Sequence, residues 1–279
     1  KKIESHEDVW RSLNAKGSID AQEITMSTLR YIEPLAEHIG KMIKGKKMAG
    51  KTITLDDVEI YMNALHGIER NKKMSEQLLE DIVNKELVNL SKKREHVLEA
   101  LGYDKQEIAS VIEAERKGKY EEEVEKHAVE TRKDYAGLTA LFRDEFGEDE
   151  PIIEQLEAKA KEYTEAFEEL IGKDNTDEMW EMIKSLNEFS LRKAYTSGII
   201  SRKQFDETRN MYDHYVPLRG WHDDYAGDVY QYISRGEGAH ALQSVLKKAY
   251  GRTSRAGNIL GTMAAMANSA IVQGNKNIV

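Results

Sequence analysis

No cysteine occurs among the 279 residues, so disulfides, thiolate nucleophiles and cysteine-based zinc sites are excluded. Proline is scarce too, with only Pro34, Pro151 and Pro217, while charged residues make up 33%. That balance favours helices over a loop-rich or disordered chain. The longest nearly apolar stretch, Ile259 to Val272, spans 14 residues and includes Asn268 and Ser269, short of the roughly 20 that a membrane helix needs. No basic segment leading into an apolar one opens the chain, so no membrane association is expected and the cytoplasm is the default location. Strand-like alternation is absent throughout, and nothing in the residue pattern implies a cofactor or a metal.

The length suffices to bury a real core, as one large domain or two smaller ones. The net charge of −9 hides an asymmetry. Ser190 to Val279 carries 12 Lys/Arg against 7 Asp/Glu, or +5, leaving 29 against 43, or −14, for Lys1 to Phe189. An acidic helical body with a basic end is a common solvated pattern that also admits an anionic partner at that end. Starting at Lys1 and finishing directly after a helical-looking segment, the chain reads as a piece of a longer polypeptide.

The stretch Leu191 to Gly220 organises the rest: a helix ended by Ser197 and Gly198, a Ser201/Gln204 capping box opening a second helix through Phe205, and an extended exit at Tyr215, Val216 and Pro217. Before it, periodicity predicts a short helix from Lys2 broken by Gly17, then a helix capped by Asp20 and kinked or split at Pro34. Thr54 and Asp57 box a helix through Val58, Tyr61, Met62, Leu65 and Ile68, and Ser75 to Leu101 extends a long amphipathic helix stopped by Gly102. Asp104 and Glu107 box a short helix up to Lys117. After Gly118 a near-heptad runs through Tyr120, Val124, His127, Thr131, Tyr135, Leu138, Phe142 and Phe146, predicting an antiparallel helical arm. Pro151 opens a helix ended by Gly172, and Asn175 or Thr176 caps the next. Two helices, Gly238 to Tyr250 and Gly257 to Val272, close the chain, the second rich in small residues.

Several motifs raise the question of chemistry. Gly45 to Thr52, GKKMAGKT, matches the spacing of a phosphate-binding P-loop. Its context does not: such a loop follows a buried strand, whereas Ile39 to Lys44 continues a helical pattern, and a flexible basic linker is the expectation. His66, Glu69 and Arg70 lie within a turn of one another and read as a structural polar cluster closing helix packing rather than as metal ligands. His127 reads as a packed seam residue. His214, His222, Asp223 and Asp224 have no diagnostic spacing. Lys247, Lys248, Arg252 and Arg255 gather charge in a short loop where phosphate or nucleic acid could bind. No catalytic residue stands out.

Three stretches, in order along the chain, carry a family resemblance: Leu55 to Asn71 with Tyr61, Ala64, His66, Glu69, Arg70 and Asn71; Ser197 to Gly220 with SGIIS and YVPLRG; and Gly251 to Val279 with GRTSR and NKN. Together they resemble helical segments of the large polyvalent proteins of phages and of conjugative or integrative bacterial elements. The resemblance implies a helical region beside helicase, methylase, peptidase, ADP-ribosyltransferase or nuclease modules, in proteins that protect or establish incoming DNA and are delivered with it, and it supplies no catalytic residues. The expectation is an all-α multi-helix bundle with a long antiparallel, coiled-coil-like arm, organised as 1–74, 75–150 and 151–279 or as one continuous domain with an arm. Its expected role is a non-enzymatic scaffold positioning adjoining domains, with protein partners on the long helices. Nucleic-acid binding through the basic end and a P-loop NTPase are the alternatives.

Overall fold

Capping chemistry and two interruptions, at Pro34 and at Gly45–Ile53, set most of the element boundaries. The computed structural model describes residues 6–146, 151–218 and 257–278. Over these residues the fold is all-α, a helix bundle carrying a long two-helix arm. Helix α1 (His6–Ser27) passes through both Gly17 and Asp20, correcting the expected break. One interior glycine costs a helix only about 1 kcal/mol, and the Asp20 carboxylate accepts from Asn275 Nδ2 at 2.7 Å instead of capping. Pro34 does interrupt: a π-helical turn, Thr28–Ile32, precedes α2 (Glu33–Ile43), and the Glu33 N–H reaches back five residues to the Thr28 carbonyl. Such a turn absorbs the donor and the space that proline removes.

Gly45 to Thr52, which joins α2 to the next helix, is a structured hairpin. Strands β1 (Lys47–Met48) and β2 (Lys51–Thr52) pair antiparallel, Lys47 opposite Thr52. Ala49 and Gly50 turn between them with φ of 49° and 80°, the left-handed pair that a two-residue hairpin requires. Met48 packs against the core while Lys51 stays exposed.

Helix α3 (Leu55–Ala100) is one unbroken element of 46 residues, about 69 Å long. Its distal part pairs antiparallel with α4 (Lys105–Thr131), which runs through Gly118. At the tip, Gly102 has φ +85° and the Tyr103 N–H donates to the Leu98 carbonyl at 3.2 Å, a Schellman closure. Asp104 Oδ1 then accepts from the Gln106 and Glu107 N–H groups at 2.8 and 2.9 Å. The heptad stops at Thr131: Tyr135, Leu138 and Phe142 leave the arm and enter the body through short turns α5 (Leu138–Leu141) and α6 (Arg143–Phe146).

Helices α7 (Ile153–Ile171), α8 (Lys173–Thr196), α9 (Arg202–Arg209) and α10 (Ile259–Ile278) complete the body. Helix α8 begins at Lys173, just past Gly172, and the Asn175 and Thr176 side chains donate to the Ile171 and Lys173 carbonyls rather than capping it. The main core joins Leu35 and Ile39 of α2, Tyr61 and Met62 of α3, Phe167 of α7, Ile183 of α8 and Met263 of α10. A second core, around Ala64, Leu138, Leu156 and Ala160, seats the base of the arm. No described helix is long and apolar enough to cross a membrane.

Two glycines inside helices, Gly67 of α3 and Gly118 of α4, differ in surroundings. An alanine Cβ at position 67 would lie 2.6 Å from Leu138 Cδ2 and 3.3 Å from Ala136 Cβ, whereas one at 118 would meet nothing within 4 Å. Gly118→Ala should therefore raise stability by up to about 1 kcal/mol, and Gly67→Ala should lower it by about 1 kcal/mol or more through overpacking, measured by urea unfolding of the two variants. Equal effects of the same sign would contradict this packing.

Candidate functional site

The Thr54/Asp57 pair fixes where α3 starts and hence which face turns inward. Asp57 Oδ2 accepts from the Thr54 N–H and hydroxyl at 2.7 and 2.8 Å. A carboxylate thus already occupies the helix end that a P-loop would offer to phosphate. Past this cap the inward face presents polar groups among apolar ones. Glu59 accepts from the Leu260 N–H at 3.3 Å and so caps α10 from across the fold. Burial pushes its carboxyl up, and the backbone donors of α10 oppose that shift.

Tyr61 stacks on Phe167 with ring centroids 4.5 Å apart. Its hydroxyl donates to Glu168 Oε1 at 2.8 Å and accepts from Trp180 Nε1 at 3.1 Å. Burial raises the phenol above its ordinary range.

His66 is wholly buried. The rings of Tyr212 and Tyr215 meet it edge-on, with centroids at 4.8 and 5.5 Å. Its pKa falls to about 3, first because burial penalises the imidazolium and then because Arg70 lies nearby. The ring is therefore neutral. Glu69, one turn on, accepts from both the backbone N–H of His214, at 3.0 Å, and its ring Nδ1. Burial pushes the Glu69 carboxyl up, but these two donors and the His214 charge outweigh it and hold it below the usual carboxylate range.

Arg70 and Asn71 hold a different segment. Arg70 Nε donates to the Tyr135 carbonyl at 3.2 Å, and Asn71 Oδ1 accepts from the Tyr135 and Ala136 N–H groups at 2.7 and 3.0 Å. Asp134 gathers the N–H groups of Gly137, Leu138 and Thr139 at 2.8 to 3.0 Å. This turn ends the arm and returns the chain to the body.

Beside the cluster runs a groove of about 780 Å³ lined by Trp180, Asn187, Leu191, Tyr212, Tyr215 and Met266, among others. The His214 ring packs on Trp180 at 4.8 Å. Ser185 and Ser190 donate to the Glu181 and Leu186 carbonyls of their own helix. No family model matches the chain, and no curated protein or solved structure matches it.

The residues singled out in the sequence are thereby divided. His66, Glu69 and Arg70 share one face of α3 but serve different segments. His214 belongs with Glu69, while His222, Asp223, Asp224, Lys247, Lys248, Arg252 and Arg255 lie outside the described residues. His127 sits between Glu123 and Glu130 of its own helix, with nitrogen to oxygen distances of 3.5 Å to each. Among the described residues no three His, Asp or Glu side chains come together to hold a metal ion. The NKN stretch, singled out only by resemblance, has two structural roles: Asn275 bridges Asp20 to Lys193 at 2.7 and 2.8 Å, and Asn277 Nδ2 donates to the Ser197 carbonyl.

The buried imidazole makes stability depend on pH in a definite window. The unfolded chain binds the His66 proton more tightly than the folded one, so stability is full above pH 6.5 and declines as pH falls toward 3, by up to about 1.4 kcal/mol per pH unit. The Glu69 contribution is present above about pH 4.5 and is lost only below it. His66→Leu should flatten the melting-temperature profile between pH 6.5 and 4.5 and keep the loss below pH 4.5; an unchanged slope would refute the assignment. Tyr61→Phe should cost about 1–3 kcal/mol at neutral pH, since it leaves Trp180 and Glu168 without their shared partner, as chemical denaturation would show.

Proposed function

We propose that the chain is a helical scaffold and interaction domain that positions neighbouring modules of a large mobile-element protein and offers its arm to protein partners. The observation that carries this is the continuity of α3. Its first turns are tied to the body through Glu59, Tyr61, Glu69, Arg70 and Asn71, and the same helix continues as one half of the arm. Whatever docks on the arm is held at a set distance and angle from the body.

Two further points support the reading. Glu59, Tyr61, Glu69 and Arg70, which a search for chemistry would select, each bond a different segment of the fold. The stretches that carry the family resemblance also touch one another: Leu55–Asn71 meets the 212–215 segment through Glu69 and His214, and the SGIIS turn meets NKN through Ser197 and Asn277. They form one structural unit, as expected of a domain inherited whole.

The absence of native cysteine makes the test direct. Spin labels on Asp177→Cys in the body and Lys105→Cys at the arm tip should give one narrow distance distribution in the full chain; a broad one would remove the rigid-scaffold reading. Titration with duplex DNA provides the contrast: affinity that falls steeply with salt and vanishes on replacing Lys247, Lys248, Arg252 and Arg255 by Ala would substitute nucleic-acid binding. Nucleotide binding abolished by Lys51→Ala would substitute an NTPase.

A further inference from the structure

Along the arm, Leu87, Leu90, Arg94 and Leu98 on α3 and Ile108, Ile112, Glu115 and Lys119 on α4 follow the 3-4 spacing of an interhelical seam. The ends of that seam are sealed, with Leu87, Leu98 and Ile108 buried. The middle is not. Between Leu87 and Leu98 no residue of α3 is buried, and between Ile108 and Thr131 none of α4 is. Arg94 and Glu115 occupy seam positions there and pair at 3.0 Å. A notch of about 370 Å³ opens at this level, with half-buried Leu90 and Ile112 over buried Leu87 at its floor and Arg94, Glu115, Arg116 and Lys119 around them.

Charge at the notch runs against the rest of the arm. Residues 72–131 carry 11 Lys/Arg against 15 Asp/Glu, yet Arg94, Arg116 and Lys119 line the notch against the single carboxylate of Glu115. Of these only Arg94 has an ion pair within the described residues. Val88 and Tyr120 add exposed apolar surface near the notch, 40% and 43% accessible.

We propose that the notch is a docking site for an acidic amphipathic helix of a protein partner, which enters the arm as a third strand. Its apolar stripe covers Leu90 and Ile112, completing the missing layer, and its flanking carboxylates meet Arg116 and Lys119. Nucleic acid fits less well: an apolar floor offers nothing to a phosphate backbone, and Glu121, Glu122 and Glu125 stand within about 12 Å along the helix from Lys117. The proposal rests on the scaffold reading and names the chemistry of the partner it would hold.

The test uses the full chain and two synthetic helices with the same leucine stripe, one flanked by Glu and one by Lys, followed by fluorescence anisotropy at low salt. The Glu-flanked helix should bind, the Lys-flanked one should not, and the double variant Arg116→Glu, Lys119→Glu should weaken binding at least tenfold. Ser91→Leu, which fills the notch from within, should raise the melting temperature while also weakening binding at least tenfold. Binding of both helices or of neither, or binding indifferent to these variants, overturns the proposal, as does duplex DNA proving the preferred ligand. Failure here with a narrow spin-label distance leaves the scaffold reading standing.

Discussion

Everything in this fold depends on the inward face of α3 between Glu59 and Asn71. A single surface of about three and a half helical turns touches the start of α10, the α7/α8 pair, the 212–215 segment and the turn that brings the arm back. Each tie is polar and directional, embedded in apolar packing that excludes water. A buried hydrogen bond contributes only about 1 kcal/mol, but leaving a partner unmatched costs more, so these contacts specify which segment sits where more than they add bulk stability. The neutral imidazole of His66 belongs to the same logic: it fills space between two tyrosine rings where a charge could not stay.

What was legible beforehand is what physics makes local. The boxes at Thr54/Asp57, Asp104/Glu107 and Ser201/Gln204, the left-handed Gly198 and the antiparallel arm all follow from residues within a few positions of one another. Glycine misled: Gly17 and Gly118 look like stops, yet a single glycine with strong helix formers on both sides weakens a helix without ending it. The GKKMAGKT stretch matched a pattern defined by composition, whereas its conformation was decided by the Ala49–Gly50 turn. His66, Glu69 and Arg70 were recognisable as a polar cluster, but their partners lie 65 to 149 residues away in sequence, a separation to which periodicity is blind.

The arm departs from an ordinary coiled coil in the opposite sense from the body. In the body, Glu59, Tyr61, Glu69, Arg70 and Asn71 are matched to partners on other segments; at mid-arm, seam positions that usually hold leucine or isoleucine carry Arg94, Glu115 and Lys119. A charged seam weakens a two-helix hairpin and fixes its register. The sealed tip and base keep the helices together across this weak layer, so the arm is already shaped before anything covers its notch.

The ties of Glu59 to Leu260 and of Asn277 to Ser197 also dictate an order of assembly. The arm's contacts are close in sequence and can form as soon as α3 and α4 leave the ribosome, since local contacts close quickly and distant ones slowly. The body cannot be finished then, because Ile259, Met263 and Ala267 belong to its main core. Until they are synthesised, the half-built core stands open with a finished arm attached, and chaperone demand during translation falls on the body alone.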